Sequence, residues 1–246
     1  MTQKESEKLI QHFDTYFEQT DCTVLHPTVP MNPHIDALLY RPNEKYPYWK
    51  LVTMGASDYK MPAPKQALGN RNEYIMFIDA QEDMTDPAIA NWYYAQLLEV
   101  AFYAIGEKTF VTYGHSMEWT PEEGEEMVGA YLEMPQIVED VRMLRCKLGM
   151  LKTTVCLQVV LLNRAEMNRL MELGSEAFSY WFIRRRGKVI SSANGTEAKN
   201  FKQKIPGCTP YIPVVIIFTP RGPCGGWYLP RSLRILRKFP CSGLPP

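Results

Sequence analysis

Apolar residues recur at three-to-four spacing near the amino terminus. Leu9, Ile10, Phe13 and Phe17 share one face and predict a helix over Lys4–Glu18. The proline-rich stretch His26–Pro33 is unsuited to a helix and is read as extended. Strand-length runs follow. His34–Tyr40 sets Ile35, Ala37 and Leu39 on one face, and Tyr48–Met54 is rich in aromatic and β-branched residues. Glu73–Asp79 is apolar on both faces, the mark of a strand covered on both sides. Asp86-Pro87 then opens the clearest helix: Asp86 can cap it and Pro87 has no amide hydrogen to leave unpaired. Gly106 offers its stop. Lys108–Tyr113 and Met127–Leu132 are read as strands, and Cys156–Leu162 as a central strand buried on both faces. Asn163-Arg164-Ala165-Glu166 has the form of a capping box opening a last helix through Phe178. The pattern predicts an α/β (α+β) fold: a mixed sheet of about six strands flanked by about three helices, one domain.

The carboxy-terminal stretch departs from these habits. Residues 184–246 hold 12 Lys+Arg against one acid, Glu197, so 12 − 1 = +11; residues 1–183 hold 15 against 26, so 15 − 26 = −11. The zero net charge of the 246-residue chain is therefore a cancellation. Nine of the 19 prolines and seven of the 15 glycines also lie after residue 183. Residues 5–183 are read as one folded domain, and residues 184–246 as a poorly structured basic extension, added or out of frame. Within it, Ile212–Phe218 is a strand-like run interrupted by Pro213. The composition, 46% apolar and 22% charged, excludes a wholly disordered chain or a coiled coil. No apolar run approaches the ~18 residues of a membrane-spanning helix, and the charged start lacks the apolar segment of a signal peptide. The expectation is a soluble cytoplasmic protein.

Five blocks in order carry a family resemblance. They are Pro33-His34-Ile35-Asp36-Ala37-Leu38-Leu39-Tyr40, then Tyr48-Trp49-Lys50-Leu51-Val52-Thr53-Met54-Gly55-Ala56-Ser57-Asp58 with Met61, then Arg71-Asn72-Glu73-Tyr74-Ile75-Met76-Phe77-Ile78. Trp92 and Leu97 follow in a helix, and Val155–Met167 with Gly174 closes the set. The chain resembles the suppressor-of-fused domain family in its bacterial single-domain form, over about residues 5–183. Met54 stands where serine is common in that family, and Ala56 where methionine is common. The resemblance implies a non-enzymatic binding protein. Animal members hold a transcription factor, and bacterial members are often immunity proteins that neutralise toxins. No catalytic residue set is attached to the family.

The residues themselves are weighed for chemistry beside this. Six cysteines show no Cys-x-x-Cys pair, which argues against structural zinc. Cys156, in an apolar run, reads as a buried inert thiol. Cys224-Gly225-Gly226-Trp227 is a faint match to a cysteine-protease context with no base nearby in sequence. No phosphate-binding glycine loop is present, and Gly55-Ala56-Ser57-Asp58 is not a nucleophile elbow. His34 and Asp36 leave one face of a strand. With His26 or His115 they compose a two-histidine, one-carboxylate metal set, or they simply hydrogen-bond at a strand edge. A small hydrolase or metal-dependent enzyme built on His34, Asp36, His115 and Ser57 is the alternative function. Nucleic-acid binding through the tail, where Arg221, Arg231, Arg234, Arg237 and Lys238 interleave with Trp227, Tyr228 and Phe239, is another.

The main reading is protein binding with no cofactor. The candidate binding residues are Asp58 and Tyr59 in the turn, and Glu118, Trp119, Glu122 and Glu123 in an acidic loop. Thr120-Pro121-Glu122-Glu123 also reads as a helix start, where acids favour the dipole, or as a plain solvated loop. An acidic body repels phosphates and draws a basic partner, a toxin domain being the sharpest case.

Overall fold

The structure is a computed structural model and describes residues 1–27, 31–121, 126–135, 137–186 and 215–218. Helix α1 (Gln3–Phe17) starts in a capping box in which Thr2 and Glu5 satisfy each other's backbone amides. Strands β1 (Cys22–Leu25), β2 (Asp36–Tyr40), β3 (Tyr48–Met54) and β4 (Asn72–Asp79) follow, then helix α2 (Pro87–Gly106). Asp86 accepts the Ala88 amide at 2.8 Å and Pro87 occupies the first helical turn, as the sequence pattern requires. Strands β5 (Ser116–Trp119), β6 (Met127–Glu133), β7 (Arg145–Lys147) and β8 (Thr153–Asn163) lead to helices α3 (Arg164–Leu173) and α4 (Ser175–Arg186), and β9 is Val215–Phe218.

The strands form one mixed sheet in the order β1-β2-β3-β4-β8-β6-β5-β9, with β7 paired to β8. Pairing is antiparallel except between β4 and β8 and between β5 and β9, which run parallel. Strand β8 is 11 residues long; one edge pairs with β4, the other with β7 and then β6. Its odd and even residues serve different cores. Val155, Leu157, Val159 and Leu161 join Tyr93, Leu97 and Val100 of α2. On the opposite face Cys156 lies with Leu9, Phe13 and Phe17 of α1, while Val160 and Leu162 meet Met167, Leu170 and Phe178 of α3 and α4. The sheet is thus covered on both sides. That explains why β4 and β8 read as nearly unbroken apolar runs.

The fold is α/β with a mixed sheet, and the described residues hold nine strands and four α-helices where the sequence suggested about six and about three. Strands β1 and β7 are only four and three residues long, too short for a periodic signal. Gly174, at φ +77°, divides the expected last helix into α3 and α4. Lys108–Tyr113 is not a strand. Lys108 adopts φ +50° as the chain leaves α2, and the segment crosses over the core before joining the sheet at Ser116. Its apolar pattern reflects Val111 buried in the core that α2 also lines, not a ladder. The expected capping box is present: Asn163 accepts the Glu166 amide at 2.9 Å, and Glu166 accepts the Asn163 amide at 3.1 Å. Among the described residues, no helix is long and apolar enough to cross a membrane.

Candidate functional site

The chain end of β3 carries the most specific sequence block, and its geometry follows from one buried acid. Glu73, next to the apolar run Tyr74–Ile78 of β4, is fully buried. It accepts the Thr53 hydroxyl at 2.6 Å, the Gly55 amide at 3.2 Å and the Ser57 amide at 3.0 Å. Thr53 in turn accepts the Tyr74 amide at 2.8 Å. Burial pushes the Glu73 carboxyl above its ordinary range, and the donors from Ser57, Thr53 and Gly55 oppose that rise. Arg71 closes the turn from outside, donating to the Ser57 and Asp58 carbonyls at 2.7 and 2.8 Å. Gly55 has φ +127°, and a Cβ there would sit 2.4 Å from the His34 carbonyl oxygen. Only glycine lets the turn lie against the segment entering β2.

Asp58 is engaged within the chain. Its carboxylate takes the Lys152 ammonium at 2.6 Å and pairs with the Met1 amino group, while Lys152 also reaches Glu5 at 3.1 Å. Burial raises the Asp58 carboxyl, and the hydrogen bonds from Lys152 and the amino terminus carry it below its ordinary value. Tyr59 follows, partly buried against the α2-side core.

Beside the turn, the start of β2 gathers three metal-ligating side chains. Register pairs Asp36 with Met54 at the end of β3, and Leu25 at the end of β1 with Ala37. That brings His26 back to the start of β2. His26 Nδ1 and His34 Nε2 each lie 2.8 Å from Asp36 Oδ1. His26, not His115, completes the set. His115 precedes β5, five strand spacings along the sheet from β2, on the order of 24 Å. It packs edge-on to Phe110, and burial lowers its pKa. Ser57 is fully buried in the turn. The four groups of the enzyme reading therefore do not converge.

The acidic segment lies at the far side of the sheet. Glu118 in β5 pairs with Arg164 at the start of α3. Trp119 is partly buried against the α2-side core. Glu122 and Glu123 lie outside the described residues, as do the proposed helix start there and the basic and aromatic tail residues of the nucleic-acid reading. The structure thus sets Glu118 and Trp119, in β5, apart from Asp58 and Tyr59 at the end of β3. The sequence reading missed the Glu73 clamp and its partner Arg71. The available signal was an acid placed directly before the apolar run Tyr74–Ile78. Cys146 and Cys156 are buried free thiols; burial raises the Cys156 thiol well above its usual range, in keeping with an inert role.

Comparison with known proteins gives the same answer from sequence and from shape. The profile of the family described as suppressor of fused protein (SUFU) matches residues 31–191. No curated protein matched the sequence. Among solved structures, the chain is similar to one described as the Sufu–Fu complex, at 11% identity and TM-score 0.57, over 77% of this chain and 90% of that one. It is also similar to a SUFU homolog from Neisseria gonorrhoeae FA 1090, at 11% identity and TM-score 0.56, over 80% of this chain and all of that one. Drosophila Suppressor of Fused aligns at 13% identity and TM-score 0.54, over 76% of this chain and 49% of that one. At such identities the structures establish the fold, and the profile, spanning well over half the chain, establishes the kinship. The chain belongs to the suppressor of fused (SUFU) protein family.

Proposed function

We propose that this protein works by binding another protein without making or breaking bonds, and that its partner is a basic domain, in the sharpest form a bacterial toxin that it neutralises in the cytoplasm. The observation that carries the reading is the charge of residues 1–183, 15 cations against 26 acids. Such a surface steers a basic partner to it and turns nucleic acid away. Support comes from kinship: a structure of a similar protein is described as the Sufu–Fu complex. The binding unit in this reading is residues 5–183, with residues 184–246 as an extension.

The contact residues we propose are Tyr59, presented by the turn that Asp58 helps to hold, and the group Glu118, Trp119, Glu122 and Glu123. Tyrosine and tryptophan supply the large rigid surface on which interfaces depend, and the acids supply steering. Glu118 would exchange its Arg164 partner for a cation of the bound protein. The test is capture of a basic protein by the immobilised full chain, followed over time, with the product of the neighbouring gene as the first one tried. The association rate is expected to fall steeply as salt rises and to fall when Glu118, Glu122 and Glu123 are replaced by lysine. Capture at a rate indifferent to salt would refute electrostatic steering. Capture unchanged by the triple replacement would remove those acids from the interface.

A further inference from the structure

Protein binding leaves the histidine–aspartate cluster without a use. We infer that His26, His34 and Asp36 form a binding site for one divalent transition-metal ion of the zinc class. The inference is independent of the protein-binding reading.

The geometry comes first. The three donor atoms lie within 4.8 Å of one another. Around a zinc ion with bonds of about 2.0–2.1 Å, tetrahedral donors stand roughly 3.4 Å apart. Each 2.8 Å histidine–aspartate contact must therefore open by about 0.6 Å. The two imidazoles are free to make that adjustment, since their side chains are 65% and 58% exposed, whereas Asp36 is 13% exposed. Their rings already stand 6.5 Å apart, inclined by 29°.

The backbone that carries the ligands is held from several directions. Ile35, between His34 and Asp36, is fully buried, and its carbonyl accepts the Tyr94 hydroxyl at 2.6 Å. The His34 carbonyl abuts Gly55 of the clamped turn. Asp36 is the first residue of the β2–β3 ladder. A site whose supports are fixed before the ion arrives loses little freedom on binding it.

Donor chemistry selects the ion. Two imidazole nitrogens and one carboxylate suit zinc, cobalt, nickel or ferrous iron, while magnesium and calcium prefer oxygen alone. Three protein ligands leave a coordination position on the exposed side for water or for a side chain of a bound protein. Without an ion, two solvent-facing imidazoles would be held on one carboxylate oxygen by contacts worth little when exposed.

The test uses the full chain, freed of metal with a chelator and titrated calorimetrically with zinc chloride and, separately, magnesium chloride. One equivalent of zinc is expected to bind and magnesium is not. Cobalt(II) is expected to give visible d–d absorption without a thiolate charge-transfer band, which sets this site apart from the chain's cysteines. The His26→Ala/His34→Ala double variant is expected to lose more than about tenfold in zinc affinity, because even outer-shell partners are worth 10–100-fold. Both side chains are exposed, so its melting temperature should equal that of the metal-free parent. Absence of zinc binding, a thiolate band in the cobalt spectrum, or affinity retained by the double variant would each overturn the assignment. The cobalt spectrum decides the matter on the parent chain even if the double variant does not fold.

Discussion

Replacing Glu73 with alanine tests the idea that one buried carboxylate shapes the signature turn. The change leaves three donors without an acceptor: the Thr53 hydroxyl and the Gly55 and Ser57 amides. Thr53 and Ser57 are fully buried, so water does not readily replace the lost partner. Each abandoned donor costs about 1–3 kcal/mol, which sums to roughly 3–9 kcal/mol. No longer holding a carboxyl away from water returns part of this. A net loss of about 4 kcal/mol is the expected result, or about 8–16 °C in melting temperature for a domain of this size. Glu73→Gln keeps a carbonyl for the two amides and should lose only about 1–2 kcal/mol. The assay is thermal and urea unfolding of parent and variants at one pH. The reasoning fails if Glu73→Ala stays within about 1 kcal/mol of the parent, or if Glu73→Gln is as damaging as alanine. The pH dependence gives a second check. Burial raises the folded carboxyl's pKa above its ordinary 4.5, so the folded state holds the proton more tightly than the unfolded chain. The parent then loses stability as pH rises from 4.5 through that raised value, and Glu73→Gln, with no proton to release, does not. The gap between them should narrow with rising pH.

Two further predictions concern charges that the fold has committed. Asp58 has a folded pKa below its ordinary 3.8, so its contribution is present above 3.8 and is lost as pH falls through the folded value. Asp58→Asn should therefore cost about 1 kcal/mol near neutral pH and nothing in strong acid, read from melting temperature against pH; a deficit that persists in acid would show that the Lys152 and amino-terminal pairs are not its source. Lys50 is fully buried in β3, donating to Gln19 at 3.1 Å and the Arg41 carbonyl at 2.5 Å, and burial lowers its pKa from 10.5 to about 8. The folded state thus disfavours the ammonium. The parent should gain stability relative to Lys50→Met as pH rises from about 8 to 10.5, and a pH-independent difference between the two melting temperatures would contradict it.

The helices and the central strands were legible because each announces itself within its own residues. The three-to-four apolar spacing of α1, the Asp86-Pro87 start of α2 and the Asn163–Glu166 box of α3 are local signals, and all three are present. Strands β1 and β7 were not legible, since they are short and half exposed or flanked by lysine and arginine. Lys108–Tyr113 misled because a loop that packs on the core and a strand within a sheet leave the same apolar trace over six residues. The metal-ligating residue types were visible, but His26 and His115 were equal candidates for the third place.

What the sequence determined by itself is the class of fold, the doubly covered centre of the sheet, and the division of charge at residue 183. These depend on periodicity and composition, which are properties of short windows. The tertiary structure decided which polar groups meet: Glu73 with an amide 18 residues back, His26 with Asp36, Lys152 with Asp58 across 94 residues. Strand register makes those meetings. Register is a relation between windows, set by how two pleated faces bury together, and no single stretch of chain encodes it.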